Sequence, residues 1–160
     1  MRNRKYDQLA SYQKKALEAA LAVLENSYNP YSHFFVGAAL IAEDGRIITG
    51  TNFENAAYGS TICAERAAVL HANALGIKRF KGIAIIGRQK SMPTEMVTAP
   101  CGSCRQVLYE VSQISGRDLN VVLSTTRMDK IVLTSVRELL PLAFGPIDVG
   151  VELNRYGGRK

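Results

Sequence analysis

The chain has 160 residues, 47% of them hydrophobic and 21% charged, and a net charge of +6. That length and balance describe one globular domain over residues 1–160, large enough for a real core. They exclude a disordered chain, and the longest apolar run, residues 36–42, is far too short to cross a bilayer. The amino-terminal residues place no apolar stretch behind their basic groups, so no secretory leader is expected. Much of the positive charge sits at the two ends, in Arg2, Arg4, Lys5, Arg155, Arg159 and Lys160. No internal basic run is interleaved with aromatics, so no nucleic-acid partner and no membrane partner are expected. Three cysteines is an odd number, which argues against a disulfide framework and for a reducing, cytoplasmic setting.

Residues 7–26 place Leu9, Tyr12, Ala16, Ala20 and Val23 at steps of three and four, which predicts an amphipathic helix. Asn29-Pro30 stops it, because proline cannot continue the hydrogen-bond ladder. Residues 35–42 read as a buried strand, Glu43-Asp44-Gly45 as a hairpin turn, and residues 46–53 as the returning strand. A loop leads to Cys63, followed by a helix over 64–74 closed by Gly76. Further strands are predicted over 82–87, 120–125 and 131–134, with helices near 101–112 and 135–140. A hairpin followed by strands joined through helices gives an α/β fold, a mixed five-stranded sheet with helices on both faces. Both cysteine-bearing stretches fall just after strands and at helix starts, where open α/β sheets bind ligands.

All the cysteines lie in two short stretches, Cys63-Ala64-Glu65-Arg66 and Pro100-Cys101-Gly102-Ser103-Cys104. Cys101 and Cys104, three apart on a helix, share one face, so both sulfurs can reach one ion. Three protein ligands with one open position is how a catalytic zinc is held; a structural zinc is normally closed by four. Helix amino termini favour thiolate over thiol at Cys63 and Cys101. Glu65, two residues after the first ligand, is the natural proton carrier. Three thiolates around a divalent ion leave the centre negative. Arg66, one helical turn after Cys63, is positioned to offset part of that charge, with Arg105 as a second candidate. A redox Cys-x-x-Cys pair would leave Cys63 and Glu65 unexplained. A closed structural zinc would need His33 or His71, and His71 lies eight residues along the helix from Cys63, too far to reach the same ion.

Metal ligand, one residue, glutamate, then Pro-Cys-x-x-Cys is a zinc deaminase signature in its three-cysteine form. The stretches Asn29-Pro30-Tyr31-Ser32-His33-Phe34, Asn52-Phe53-Glu54-Asn55-Ala56, the two cysteine stretches and residues 139–146 together resemble the small cytidine deaminases over residues 7–148. Phe35 stands where that family usually has proline, and Ala99 where it usually has serine. The resemblance implies a three-layer α/β/α sandwich and one zinc per chain on Cys63, Cys101 and Cys104. It implies a homotetramer with shared pockets, and hydrolytic deamination of free cytidine and 2′-deoxycytidine with release of ammonia. Glu65 is then the catalytic proton shuttle. Asn52 and Glu54 bind the ribose, chiefly its 3′-hydroxyl, and Ala56 offers backbone groups to the base edge. Phe34 packs against the substrate, and Phe144 stacks on the base from another subunit. Tyr31 and Tyr58 are expected at subunit contacts. The alternatives are a deaminase of the same fold acting on a cytosine-containing antibiotic or modified nucleoside, a nucleic-acid editor, and a non-enzymatic zinc-binding module with a fourth protein ligand.

Overall fold

The computed structural model describes residues 1–91 and 95–156. Arg159 and Lys160, counted among the terminal charges, lie outside them. In chain order the elements are β1 (Arg2–Arg4), α1 (Ser11–Val23), β2 (Phe34–Ala42), β3 (Ile47–Thr51), α2 (Ala64–Ala74), β4 (Phe80–Gln89), α3 (Gly102–Ser115), β5 (Asn120–Ser124), β6 (Ile131–Ser135) and α4 (Val136–Leu139). Among the described residues one sheet runs β1-β6-β5-β4-β2-β3. Only β4 and β5 pair in parallel; the other neighbours are antiparallel. A short hairpin can join antiparallel neighbours, whereas the parallel pair needs the crossover that α3 supplies.

The sheet has six strands, not the expected five. The additional one is β1, which pairs Arg2 with Leu133 and Arg4 with Ile131. Its Arg-Asn-Arg text carries no strand signal. Backbone pairing at a sheet edge holds it, and charged side chains are what edge strands tolerate. The first helix is shorter than its apolar spacing suggests. Leu9 is buried ahead of it, while Tyr12 faces solvent.

The sheet is covered on both faces, which makes three layers. On one face Ala16, Leu17 and Ala20 of α1 pack on Ala39, Ile41, Ala84, Ile86 and Val122. On the other, Ala64, Ala68 and Ala72 of α2 and Leu108 and Val111 of α3 pack on Ala38, Leu40, Ile83, Ile85 and Val121. The alternation of adjacent residues between the two cores is the period-two geometry of a strand. Alanines at every fourth position give α2 a flat face. At Gly50 a Cβ would lie 2.3 Å from the Ala68 nitrogen and 2.7 Å from the Ala64 carbonyl oxygen. Helix α2 therefore sits directly on the β3 backbone, and its first turn is held at the end of that strand.

Register brings the pieces of the site to one end of the sheet. Phe34, which opens β2, pairs with Gln89, which closes β4, and Gly37 pairs with Thr51, which closes β3. The chain leaves β3 toward Cys63 and leaves β4 toward Cys101, so both cysteine-bearing helices start at this end.

Candidate active site

Cys63 is the N-cap of α2 and Cys101 the N-cap of α3, while Cys104 lies in the first turn of α3. The three sulfurs lie within 4.8 Å of one another, with Cys63 and Cys101 Sγ 3.9 Å apart. All three are free thiols. Zinc bound by thiolates at about 2.3 Å in a tetrahedron has sulfur–sulfur edges of about 3.8 Å, so the donor set and its spacing fit that ion. The metal-capable cluster found among the described residues consists of these three thiols. His71 turns its Nδ1 to the Thr49 carbonyl at 3.1 Å. His33 is exposed in a left-handed turn, with φ 54°.

The thiols are unequal. Hydrogen bonding from the Cys104 thiol, then from Cys101, and the charge of Arg66 lower the Cys63 pKa to about 6 against the opposing effect of burial. Cys104 is raised, because it donates to Cys63 and is itself buried. Thiolate character thus collects at a helix N-cap, beside an arginine.

Glu65 is 4% exposed. Burial raises its pKa, and the negative charge on Cys63 adds to that. A carboxyl pushed up in this way holds an accepted proton better than an ordinary carboxylate does.

The two arginines part company. The charge and hydrogen bonding of Arg66 act on Cys63, and its Nη2 donates to the Thr61 carbonyl at 2.5 Å. Its buried Nε has no protein partner. A half-buried cation with an unspent donor on its buried Nε suits an anionic sulfur cluster. Arg105 instead donates to the Pro100 carbonyl at 2.9 Å and the Leu139 carbonyl at 3.0 Å, tying the start of α3 to α4.

Asn52 and Glu54 lie just beyond β3, each 8% exposed. Asn52 Oδ1 accepts from the Val36 amide at 2.9 Å, and its Nδ2 donates to the Phe34 carbonyl at 2.9 Å. Glu54 Oε2 accepts the backbone N–H of Tyr31 at 2.9 Å and of Ser32 at 3.2 Å. Burial alone would raise the Glu54 pKa; the Ser32 hydroxyl and these two amides outweigh it and hold the carboxyl below its ordinary value. Sequence reasoning did not find the backbone donors at 31 and 32, because an amide N–H leaves no mark on residue identity.

Phe34 is half-buried at the start of β2, and Ala56 is exposed between β3 and α2. Phe144 is exposed, anchored by its carbonyl to Gln106 Nε2 at 2.8 Å. Tyr31 and Tyr58 meet edge to face with centroids 5.6 Å apart, both exposed. Phe35 packs on the α1 side of the sheet, with the Arg88 guanidinium 4.4 Å above its ring and Arg88 paired to Glu25 at 2.6 Å. That departure from the family pattern therefore lies on the face opposite the thiols. Ala99 is exposed in the approach to Pro100.

The family described as the cytidine and deoxycytidylate deaminase zinc-binding region matches residues 10–116, a span that holds all three thiols and Glu65. The chain belongs to this family. The cytidine deaminase of Sporosarcina psychrophila is 43% identical over 136 residues, covering 85% of this chain and 93% of its own. That of Halalkalibacterium halodurans is 41% identical over 133 residues, covering 83% and 94%. The crystal structure of cytidine deaminase from Burkholderia pseudomallei superposes with a TM-score of 0.73 at 42% identity, over 85% of this chain and 100% of that one. The Mycobacterium tuberculosis cytidine deaminase structure gives 0.67 at 33% identity, over 86% and 100%. The zinc-deaminase fold is thus shared along nearly the whole length of these relatives.

Proposed function

We propose that this chain, acting as one domain, is a zinc-dependent hydrolase converting free cytidine and 2′-deoxycytidine to uridine and 2′-deoxyuridine, with ammonia released. The observation that carries the reading is three thiols at zinc spacing with the buried carboxyl of Glu65 two residues from one of them. Cys63, Cys101 and Cys104 would hold the zinc, and the chemistry such an ion supplies is a water acidic enough to serve as nucleophile near neutral pH.

Glu65 carries protons from the water side to N3 of the pyrimidine and then to the departing amine. Its raised pKa supports that two-way role. Arg66 offsets the negative charge of the thiolates. Glu54, kept ionised by the 31–32 amides, accepts from the ribose 3′-hydroxyl, and Asn52 donates to it. A 3′-phosphate would meet the Glu54 charge, which favours a free nucleoside over a nucleotide within a polymer. Phe34 lines the substrate, and Ala56 offers backbone groups to the base edge.

We further infer a homotetramer in which Phe144 reaches a neighbouring pocket. The exposed aromatic rings of Tyr31, Tyr58, Phe53 and Phe144 support an interface of this kind. Among the described residues no helix is long and apolar enough to cross a membrane, and we place the enzyme in the cytoplasm.

Steady-state turnover of cytidine followed by ultraviolet absorbance, with and without a chelator, tests the assignment. Absorbance falling with time, and ceasing to fall once metal is stripped, is the expected result. A zinc-loaded enzyme inert toward both nucleosides would overturn it.

A further inference from the structure

Asn52 Oδ1 accepts from a second group besides the Val36 amide: Ser27 Oγ stands 2.5 Å away. The Val36 N–H can only donate and the Phe34 carbonyl can only accept, so the Asn52 amide has one possible orientation. Oδ1 is then an acceptor, and the Ser27 hydroxyl must be the donor. With one Nδ2 proton spent on Phe34, the other remains uncommitted among the described residues.

The segment that begins at Ser27 also holds Glu54. The Tyr28 N–H donates to the Asn52 carbonyl at 3.1 Å, and the Glu54 N–H donates to the Tyr28 carbonyl at 2.8 Å. Further along, the Tyr31 and Ser32 amides donate to Glu54 Oε2 and the Ser32 hydroxyl also bonds the carboxylate, whose two oxygens together still have acceptor capacity to spare. A spare donor on Asn52 and spare acceptor capacity on Glu54, two residues along the chain, complement a hydroxyl group, which can accept and donate at once.

We propose that Ser27 is a positioning residue for sugar-hydroxyl recognition. Its side chain locks Asn52 onto the same six-residue segment, 27–32, that grips Glu54, and so fixes the Asn52 donor relative to the Glu54 carboxylate. A donor held at a set distance loses less freedom on binding. The short bond into Oδ1 also polarises the amide, which strengthens its remaining N–H as a donor. The inference rests on Asn52 and Glu54 being the hydroxyl-binding pair.

The test is kcat and KM for cytidine and 3′-deoxycytidine, measured on the zinc-loaded wild type and on Ser27→Ala and Ser27→Thr. The wild type is expected to favour cytidine. Ser27→Ala is expected to lose about fivefold of that preference, the size of one modest hydrogen bond, through a higher KM for cytidine alone. Ser27→Thr keeps the hydroxyl and is expected to keep the preference. Should Ser27→Ala fold poorly, Ser27→Cys retains the shape with a weak donor and carries the same comparison. A Ser27→Ala enzyme with undiminished preference overturns the proposal. Equal losses on both substrates overturn it too, because they mark a purely structural role. A wild type indifferent to the 3′-hydroxyl overturns the hydroxyl-pair reading first and the Ser27 proposal with it, so the two failures are distinguishable.

Discussion

Cys63 and Cys101 cap two different helices, and their sulfurs stand 3.9 Å apart across the gap between the helix starts. Neither helix could hold a metal alone in this arrangement. The binding of zinc is therefore expected to couple α2 to α3. Metal analysis should find about one zinc per chain, and Cys104→Ser should lose it, with a lower melting temperature. Cys63 has its pKa lowered to about 6, so its thiolate persists above that pH and is protonated below it. Zinc affinity should then fall steeply as pH drops below about 6. Cys104 is raised and gives up its proton on ligation. Calorimetry in buffers of different ionisation enthalpy should therefore show about one proton or more released per zinc at neutral pH. Arg66→Ala should weaken zinc binding by roughly ten- to a hundred-fold.

The role proposed for Glu65 is to move protons, and its removal should separate chemistry from binding. Glu65→Gln is expected to lower kcat by roughly a hundred- to ten-thousand-fold while leaving zinc content intact. Metal content and circular dichroism on the same sample check that the loss is chemical. Turnover within a few-fold of wild type would remove Glu65 from its role.

Glu54 titrates in the opposite direction from Glu65. Its folded pKa is depressed below the ordinary 4.5, so the stability it contributes is present above that value and is lost as pH falls through the lower folded value. Wild type should melt above Glu54→Gln at neutral pH, and the gap should close below about pH 4.5. The difference should be small, because the side-chain carbonyl of glutamine can still accept from the Tyr31 and Ser32 amides. In kinetics Glu54→Gln should raise the KM for cytidine more than it lowers kcat.

Gly50 marks where α2 rests on β3. A Cβ there meets the backbone of Ala64 and Ala68, which cannot swing aside as a side chain would. Gly50→Ala should cost roughly 1–3 kcal/mol of stability. It should also displace the helix start that carries Cys63, so zinc affinity and melting temperature should fall together. A denaturant titration with parallel zinc measurement checks the pairing of the two effects.

Much of this was legible locally. The residues around Cys63 and Cys101 announce a metal site because ligand type and spacing are one-dimensional properties. The strand and helix order is likewise readable, because apolar periodicity is printed in the chain. The edge strand at Arg2–Arg4 is not, since its pairing with Ile131–Ser135 depends on backbone groups that every residue carries. The two arginines could not be ranked from sequence. Only the fold turns Arg66 toward the thiolate and Arg105 toward the carbonyls of Pro100 and Leu139. Phe35, conspicuous as a departure from the family pattern, proves to face α1, because strand alternation decides the side on which it falls.

The amino-acid sequence by itself determined the chemistry: three thiols, one carboxyl and the helix starts that hold them, since each is set by residue identity and short-range spacing. The tertiary structure alone decided how the polar side chains of Asn52 and Glu54 are held. The Ser27–Asn52 bond and the amides that grip Glu54 join segments more than twenty residues apart. Hydrogen bonds of that range follow from strand register and chain reversal, which no local pattern of residues records.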